Sequence, residues 1–447
     1  MAFIEKIGLE PVPAGQRTST WRDYFLLQFS FSFNAGNFLL PALAVLQGGL
    51  SFGWAVGSMV AGNLLAFLLV ALFSFPGVDY GIPGQFAARM ILGINGSRYF
   101  GSLLRALIAV YWFSVQSVGA AVVVRFMLER LTGVAVNLMW LSLLFAAVMT
   151  VLAIAGYKTV RLAVRLIFPV MLLVMLVLAW EFLTAEAAPF QWASVAAAGG
   201  DRSLGTFLLY AGLAFAQYVP AISGSSDLCR YARHRRDAFL GLVTGSAVGM
   251  AVTASLVAYG AIATGEWNPY VAASALNESL VIQLLMLAGV LVSLCAINLN
   301  NAYTGGMSLL NAFPAMNRMK TTGIFGLVSS GICLYPGIID HAAVYIHALG
   351  GLAVPLAGVL VVDYLFVHKQ RIDVDALARG DGIYRYYYGF NLSAFAAVAL
   401  AAIYFYAVPD KLMPGLSSCL LAGLLHVLFT RWSPSAGRMI KRSRFQG

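Results

Sequence analysis

The chain has 447 residues, of which 60% are hydrophobic and 10% charged, against roughly 45–50% and about 25% in soluble domains. No soluble core absorbs that surplus, so a soluble enzyme is excluded and a polytopic membrane protein is implied, each span using about 20 apolar residues. The net charge of +10 then reads as orientation across a bilayer rather than as affinity for nucleic acid.

Residues 1–21, with Glu5, Lys6, Glu10, Pro11 and Pro13 and no apolar run, read as a cytoplasmic segment and not as a cleaved signal peptide. Apolar runs between charged or turn-rich breaks then predict twelve helices, near 22–46, 51–75, 99–127, 134–155, 159–183, 205–232, 237–262, 277–311, 322–338, 342–366, 387–406 and 412–431. The helices divide into a first set of five over 22–183, a second over 205–366, two additional helices over 387–431 and a basic tail over 432–447. With both termini inside, all but four of the 28 Lys and Arg residues fall on the cytoplasmic side, the four being Arg125, Arg130, Arg202 and Lys411. That is the positive-inside pattern, which places both termini in the cytoplasm.

Helix 1 is interrupted by Asn34-Ala35-Gly36-Asn37 and Pro41, and helix 6 by Gln217-Tyr218-Val219-Pro220 with Gly224 beyond. Broken backbone at membrane depth must face protein, ligand or a wet cavity. Two breaks five helices apart fit an inverted five-plus-five repeat with its site where the broken helices cross; ordinary proline kinks are the alternative. In helix 3, Trp112 and Gln116 share a face, which suits a flat heteroaromatic ring that stacks on the indole and is read along its edge by an amide. In helix 8, Asn298, Asn300 and Asn301 lie near mid-membrane, where polar side chains mark a pathway or bond helix to helix. Asn298 and Asn301 share a face, and Asn300 points elsewhere.

Asp79, Asp227, Asp237 and Asp363 sit at predicted helix ends or in loops, so they read as caps and ion pairs, and no central proton relay of carboxylates is visible. His347 and His426 read as packed histidines. The four cysteines, Cys229, Cys295, Cys333 and Cys419, are far apart in apolar segments and indicate neither disulfides nor a metal site. No Gly-Lys pair occurs, so there is no P-loop, and the glycine-rich stretch 76–84 reads as a tight connection.

At these residues the chain resembles the nucleobase:cation symporter family 1, the purine/cytosine permease family. The likeness is carried by Gly8-Leu9-Glu10-Pro11-Val12-Pro13, by Ala88-Arg89-Met90-Ile91-Leu92-Gly93-Ile94-Asn95-Gly96-Ser97 leading to Trp112-Phe113, by Ser226-Asp227-Leu228-Cys229-Arg230-Tyr231 and by Asn298-Leu299-Asn300-Asn301-Ala302-Tyr303. The resemblance implies an all-α polytopic protein of the bacterial leucine-transporter type, with broken helices 1 and 6. It also implies a base held between Trp112 and Tyr218, with Gln217, Gln116 and Asn298 as polar contacts. Asn301 and Asn37 complete the candidate set.

Sodium-coupled members carry hydroxyl residues just before the helix 8 asparagine, completing a site with carbonyls of helix 1. Here those positions are Ala296 and Ile297, preceded by Cys295, and the lost oxygen ligands weaken a hard-cation site. Asn34, Ala35, Cys295 and Ala296 are the cation-site candidates, and the coupling ion is left as a proton or sodium.

The resulting expectation is a secondary transporter that imports a neutral planar nucleobase or related heterocycle, cytosine or another pyrimidine or purine first. Allantoin, hydantoin and the hydroxymethylpyrimidine precursor of thiamine are the alternatives, and an integral-membrane enzyme is the remote one. The expected partners are the small-molecule substrate and the lipid bilayer, with no cofactor, no nucleic acid and no obligatory protein partner.

Overall fold

The computed structural model describes residues 7–198, 200–339, 342–379 and 382–432. The first six residues of the predicted N-terminal segment and the basic tail from 433 onward lie outside the described residues. Among the described residues regular structure is helical, apart from three isolated bridges.

Helix α1 is a pair, Trp21–Ser32 and Ala35–Leu46, bent by 60° at the break. It is followed by α2 (Phe52–Leu72), α3 (Ser102–Thr132), α4 (Leu138–Ile154) and α5 (Tyr157–Thr184). Helix α6 runs through Leu204–Tyr218, a 3-10 turn at Val219–Ala221, and Ile222–Cys229. Then come α7 (Arg235–Thr264), α8 (Leu280–Ala312), α9 (Arg318–Ile332), α10 (Ala342–Val362), α11 (Leu392–Ala407) and α12 (Pro414–Trp432). Eight helices of the described residues are long and apolar enough to cross a membrane, or nine if the bent pair is one span. The shorter α4, α9 and α11 occupy the remaining predicted positions.

The two interruptions differ in kind. In α1 the chain leaves helical geometry at Phe33 and Asn34 and restarts in a new direction. In α6 Pro220 is absorbed by a 3-10 turn, so the 26 residues Leu204–Cys229 form a single apolar span. Proline lacks the N–H that a helix needs, and tightening to 3-10 bonding locally removes the conflict.

The stretch 76–84 departs from the expected connection. Phe75–Tyr80 extends α2 helically and stops at Gly81, whose φ of 73° lies in the left-handed region that favours glycine. Short helical turns over 84–96 and a π turn at Ser97–Gly101 then lead into α3.

Packing places the interrupted helices at the centre. Helix α1 lies along α7, and α2 lies against both α7 and α6. On the other side α3 lies along α8, and α9 against α8 and α4. Helices α10, α11 and α12 pack together. Exposed apolar side chains such as Trp140, Val151, Leu166, Leu176 and Trp180 line the outer faces of α4 and α5, the faces a bilayer covers.

Ion pairs gather at helix ends, as the charge pattern predicts. Arg161 and Arg165 of α5 meet Asp23 of α1 at 2.7 and 2.5 Å, and Arg235 of α7 meets Asp79 at 2.5 Å. Two carboxylates are more deeply placed than helix-end caps. Asp227 lies inside Ile222–Cys229, fully buried, and accepts from Gly84 N at 2.8 Å. Asp363, also buried, holds His368 Nδ1 on one oxygen and His426 Nε2 on the other, each at 2.6 Å. His347 packs on the rings of Phe405 and Tyr406.

Candidate functional site

The break in α1 frees carbonyl groups that would otherwise accept from the next turn. Nearby amides satisfy them. Asn34 Nδ2 donates to Phe31 O at 2.6 Å, and Asn37 Nδ2 donates to Phe31 O at 3.1 Å and Ser32 O at 2.9 Å. Asn34 Oδ1 caps the second half of α1 by accepting from Asn37 N at 3.1 Å. From α3, Gln116 Nε2 also donates to Asn34 Oδ1, and Gln116 Oε1 accepts from Gly36 N at 3.1 Å. The irregular segment is therefore held by side-chain amides in place of water, as membrane depth demands. Gly36 is required by closeness: a Cβ there would collide with Gln116 Nε2 and lie 3.0 Å from Trp112 Cζ3.

The interruption of α6 is tied to the same network. Gln217 Nε2 donates to Asn37 Oδ1 at 2.9 Å and approaches the Tyr218 hydroxyl at 3.4 Å. The Tyr218 ring leans on Phe67 of α2, with centroids 6.2 Å apart.

Between the α1–α2–α6–α7 group and α3 with α8 lies a cavity of about 120 Å³. One water needs roughly 10–15 Å³ on a comparable measure, so the space suits a ligand of several heavy atoms. Its lining includes six of the predicted substrate residues: Asn37, Trp112, Gln116, Gln217, Tyr218 and Asn301. The seventh, Asn298, faces α3 instead, donating to Phe113 O at 3.1 Å and Ser117 Oγ at 2.9 Å, and it receives Asn301 Nδ2 at 3.3 Å.

The lining residues outside the candidate set include Arg105, Asn300 and Thr304. Asn300, expected to point elsewhere, belongs to the stripe Ile297, Asn300, Asn301, Thr304 that α8 turns to the cavity. Arg105, counted with the cytoplasmic charges, is only 6% exposed and lies in the stripe Arg105, Ile108, Trp112, Gln116 of α3. Its Nη2 donates to Thr304 Oγ1 at 2.8 Å.

The four cation-site candidates offer little side-chain oxygen. Asn34 Oδ1 is already shared by Asn37 N and Gln116 Nε2. Ala35, Cys295 and Ala296 carry no side-chain oxygen, and Cys295 is an unbridged thiol. Among the described residues no cluster of His, Cys, Asp or Glu is arranged to hold a metal ion.

Residues 11–419 match the family profile described as permease for cytosine/purines, uracil, thiamine and allantoin. The hydantoin permease of Microbacterium maritypicum is 27% identical over 399 residues, covering 84% of this chain and 78% of that one. The allantoin permease of Bacillus subtilis is 24% identical over 441 residues, covering 88% and 85%. A nucleobase-cation-symport-1 family transporter, solved in a closed conformation with bromovinylhydantoin bound, superposes with a TM-score of 0.84 at 21% identity, over 97% of this chain and 98% of that one. The fold is therefore the five-plus-five inverted repeat of leucine-transporter-type proteins, with α1 and α6 as the interrupted first helix of each repeat.

Proposed function

The chain belongs to the family of permeases for cytosine/purines, uracil, thiamine and allantoin, and from that premise we propose that it imports a planar nitrogen heterocycle by cation symport with alternating access. Pyrimidines, purines and the related hydantoins and allantoin are the candidate cargo. The observation that carries this reading is the cavity at the two helix interruptions, where Trp112 of α3 and Tyr218 of α6 both face the space and amides surround it. Aromatic pairs contribute about 0.5–1.5 kcal/mol beyond the area they bury, and amides supply the directional contacts of a small-molecule site. The two repeats, 22–183 and 205–366, would rock against one another about this point.

We read the coupling ion as a proton. A sodium ion takes hard oxygen ligands, and the candidate positions supply none from Ala35, Cys295 or Ala296. The positive-inside pattern supports a bacterial cytoplasmic membrane with both termini in the cytoplasm.

Uptake of labelled heterocycle into proteoliposomes tests the reading. Accumulation above equilibrium that collapses with a protonophore and survives sodium removal is expected; simple equilibration would reject symport. Trp112→Ala should abolish uptake while membrane insertion is unchanged, and near-normal uptake would remove Trp112 from the site.

A further inference from the structure

Side-chain amides can usually present either edge to a ligand, but here the backbone decides which atom each one turns outward. The carbonyls of Phe31 and Ser32 can only accept, so Asn37 gives them its Nδ2 and turns its Oδ1 to α6. Gln217 must then offer Nε2 to Asn37, which leaves Gln217 Oε1 buried without a hydrogen-bond partner in a residue that lines the cavity. In α8 the Phe113 carbonyl commits Asn298 Nδ2, so Asn298 Oδ1 accepts from Asn301 Nδ2 and the Asn301 oxygen is the atom left for the cavity. Asn300 Oδ1, also on the lining, has no partner. Three acceptors thus belong to residues that line the space, two of them buried without a hydrogen-bond partner.

The opposite polarity sits one turn of α8 beyond them. Thr304 follows Asn300 by four residues, about 6 Å along a helix, and the guanidinium of Arg105 rests there. Arg105 Nη2 is bonded to Thr304 Oγ1 and Nε is buried without a partner. Gly224 of α6 makes room for it, since a Cβ at that position would lie 3.2 Å from Arg105 Nε. Asp227, the acidic group whose field reaches Arg105, gives one oxygen to Gly84 N. Arginine has donors only and stays charged.

We propose that this cavity selects cyclic imides and ureides, rings whose N–H groups alternate with carbonyls, and that Arg105 is a specificity-determining residue that receives a carbonyl oxygen. The inference deepens the transporter reading and rests on it. An N–H of the ring meets Gln217 Oε1 or the asparagine oxygens, and a ring carbonyl meets Arg105. A 4-amino pyrimidine reverses two of these contacts: its ring nitrogen brings a lone pair to an acceptor, and its amino hydrogens face a cation. A site built for one hydrogen-bond pattern rejects the reversed pattern because its own buried groups are then stranded.

The test uses purified full-length protein in detergent, titrated with uracil against cytosine and with hypoxanthine against adenine, and read by thermal shift. The oxo member of each pair should bind about tenfold tighter or more, and 1,3-dimethyluracil, which has lost both ring N–H groups, should not compete. Arg105→Gln should bring each oxo-to-amino ratio down towards one, and Arg105→Lys, which keeps a charged donor, should restore part of it. Equal or tighter binding of the amino members, or an oxo preference that survives in R105Q, overturns the inference. If R105Q does not fold, the wild-type ranking and the dimethyl analogue decide alone. Binding of none of these rings, nor of hydantoin or allantoin added to the same screen, to folded wild-type protein would reject the transporter reading itself, whereas indiscriminate binding rejects only the polarity argument.

Discussion

Gln217 Nε2 donates to Asn37 Oδ1 at 2.9 Å, and this one bond joins the interruption of α6 to the interruption of α1. The same Asn37 side chain closes the freed carbonyls of Phe31 and Ser32. Fixing the broken backbone and coupling the two repeats are therefore tasks of a single amide. Any movement of α6 relative to α1 must carry that bond along or exchange it.

Asn37→Ala should for that reason cost both stability and binding. It strands the Ser32 carbonyl and the Gln217 amide in a buried setting, at about 1–3 kcal/mol for each unsatisfied group. A melting temperature several degrees lower and at least about tenfold weaker ligand binding are expected in the purified protein. A variant that melts like the parent would show that Asn37 does not support the break.

Gly36→Ala tests the close contact of the α1 break with α3, where Gln116 both packs on Gly36 and bonds Asn34. The added methyl would press on Gln116 Nε2 and the Trp112 ring, so the stacking surface must shift even though no hydrogen-bonding group is removed. Displacing a positioned group by as little as 1 Å can cost about a hundredfold in a process that depends on its geometry. Uptake should fall by at least tenfold on that scale while insertion into the membrane persists. Gly323→Ala in α9, where an added Cβ meets nothing within 4 Å and which lies off the cavity lining, is not expected to change uptake, and it serves as the comparison.

Much of this arrangement is legible in the residues. The twelve apolar runs, the Asn34–Asn37 and Gln217–Pro220 interruptions and the Trp112–Gln116 pair all follow from composition and periodicity. The phase of α8 does not. Helical spacing says that Asn298 and Asn301 share a face, but which arc meets the cavity depends on how α8 packs against α3. There the Phe113 carbonyl and the Ser117 hydroxyl capture Asn298. Arg105 was hidden for a different reason. It lies seven residues before Trp112 on the same stripe inside predicted helix 3, but its charge reads as one of the cytoplasmic-side set. The kink of α6 was legible as a proline, but its absorption into a 3-10 turn depends on the surrounding helices.

A pH dependence should come from His368, just beyond the membrane-spanning part of α10. Burial opposes its charge, but the facing carboxylate of Asp363 and the 2.6 Å hydrogen bond between them outweigh that cost, and His368 is held above its ordinary value of 6.5. A histidine raised in the folded state contributes its stability in full below the unfolded value and loses it as pH climbs through the folded value. The melting temperature should therefore decline as pH is raised from about 6.5 upward, and His368→Asn should flatten that part of the profile. A wild-type profile that rises over this interval, or an unchanged slope in the variant, would contradict the assignment.

Asn298 and Asn301, three residues apart, should differ in what they control. Asn298 is fully buried and spends its amide on Phe113 O and Ser117 Oγ, so it joins α8 to α3. Asn301 lines the cavity and uses only its Nδ2 on Asn298. Asn298→Ala should therefore lower the melting temperature, by about 0.5–1.5 kcal/mol for each of the two hydrogen bonds lost to Phe113 O and Ser117 Oγ, with a smaller effect on the order of preference among heterocycles than Asn301→Ala. Asn301→Ala removes an acceptor from the wall and leaves the α3–α8 contact in place, so the melt should stay close to the parent's while the preference for rings with N–H donors weakens. Melting curves and competition binding on the two variants separate these outcomes. If Asn298→Ala reorders the ligands and Asn301→Ala does not, the face of α8 that meets the substrate is the one periodicity alone suggested, and the polarity of the wall must be reassigned.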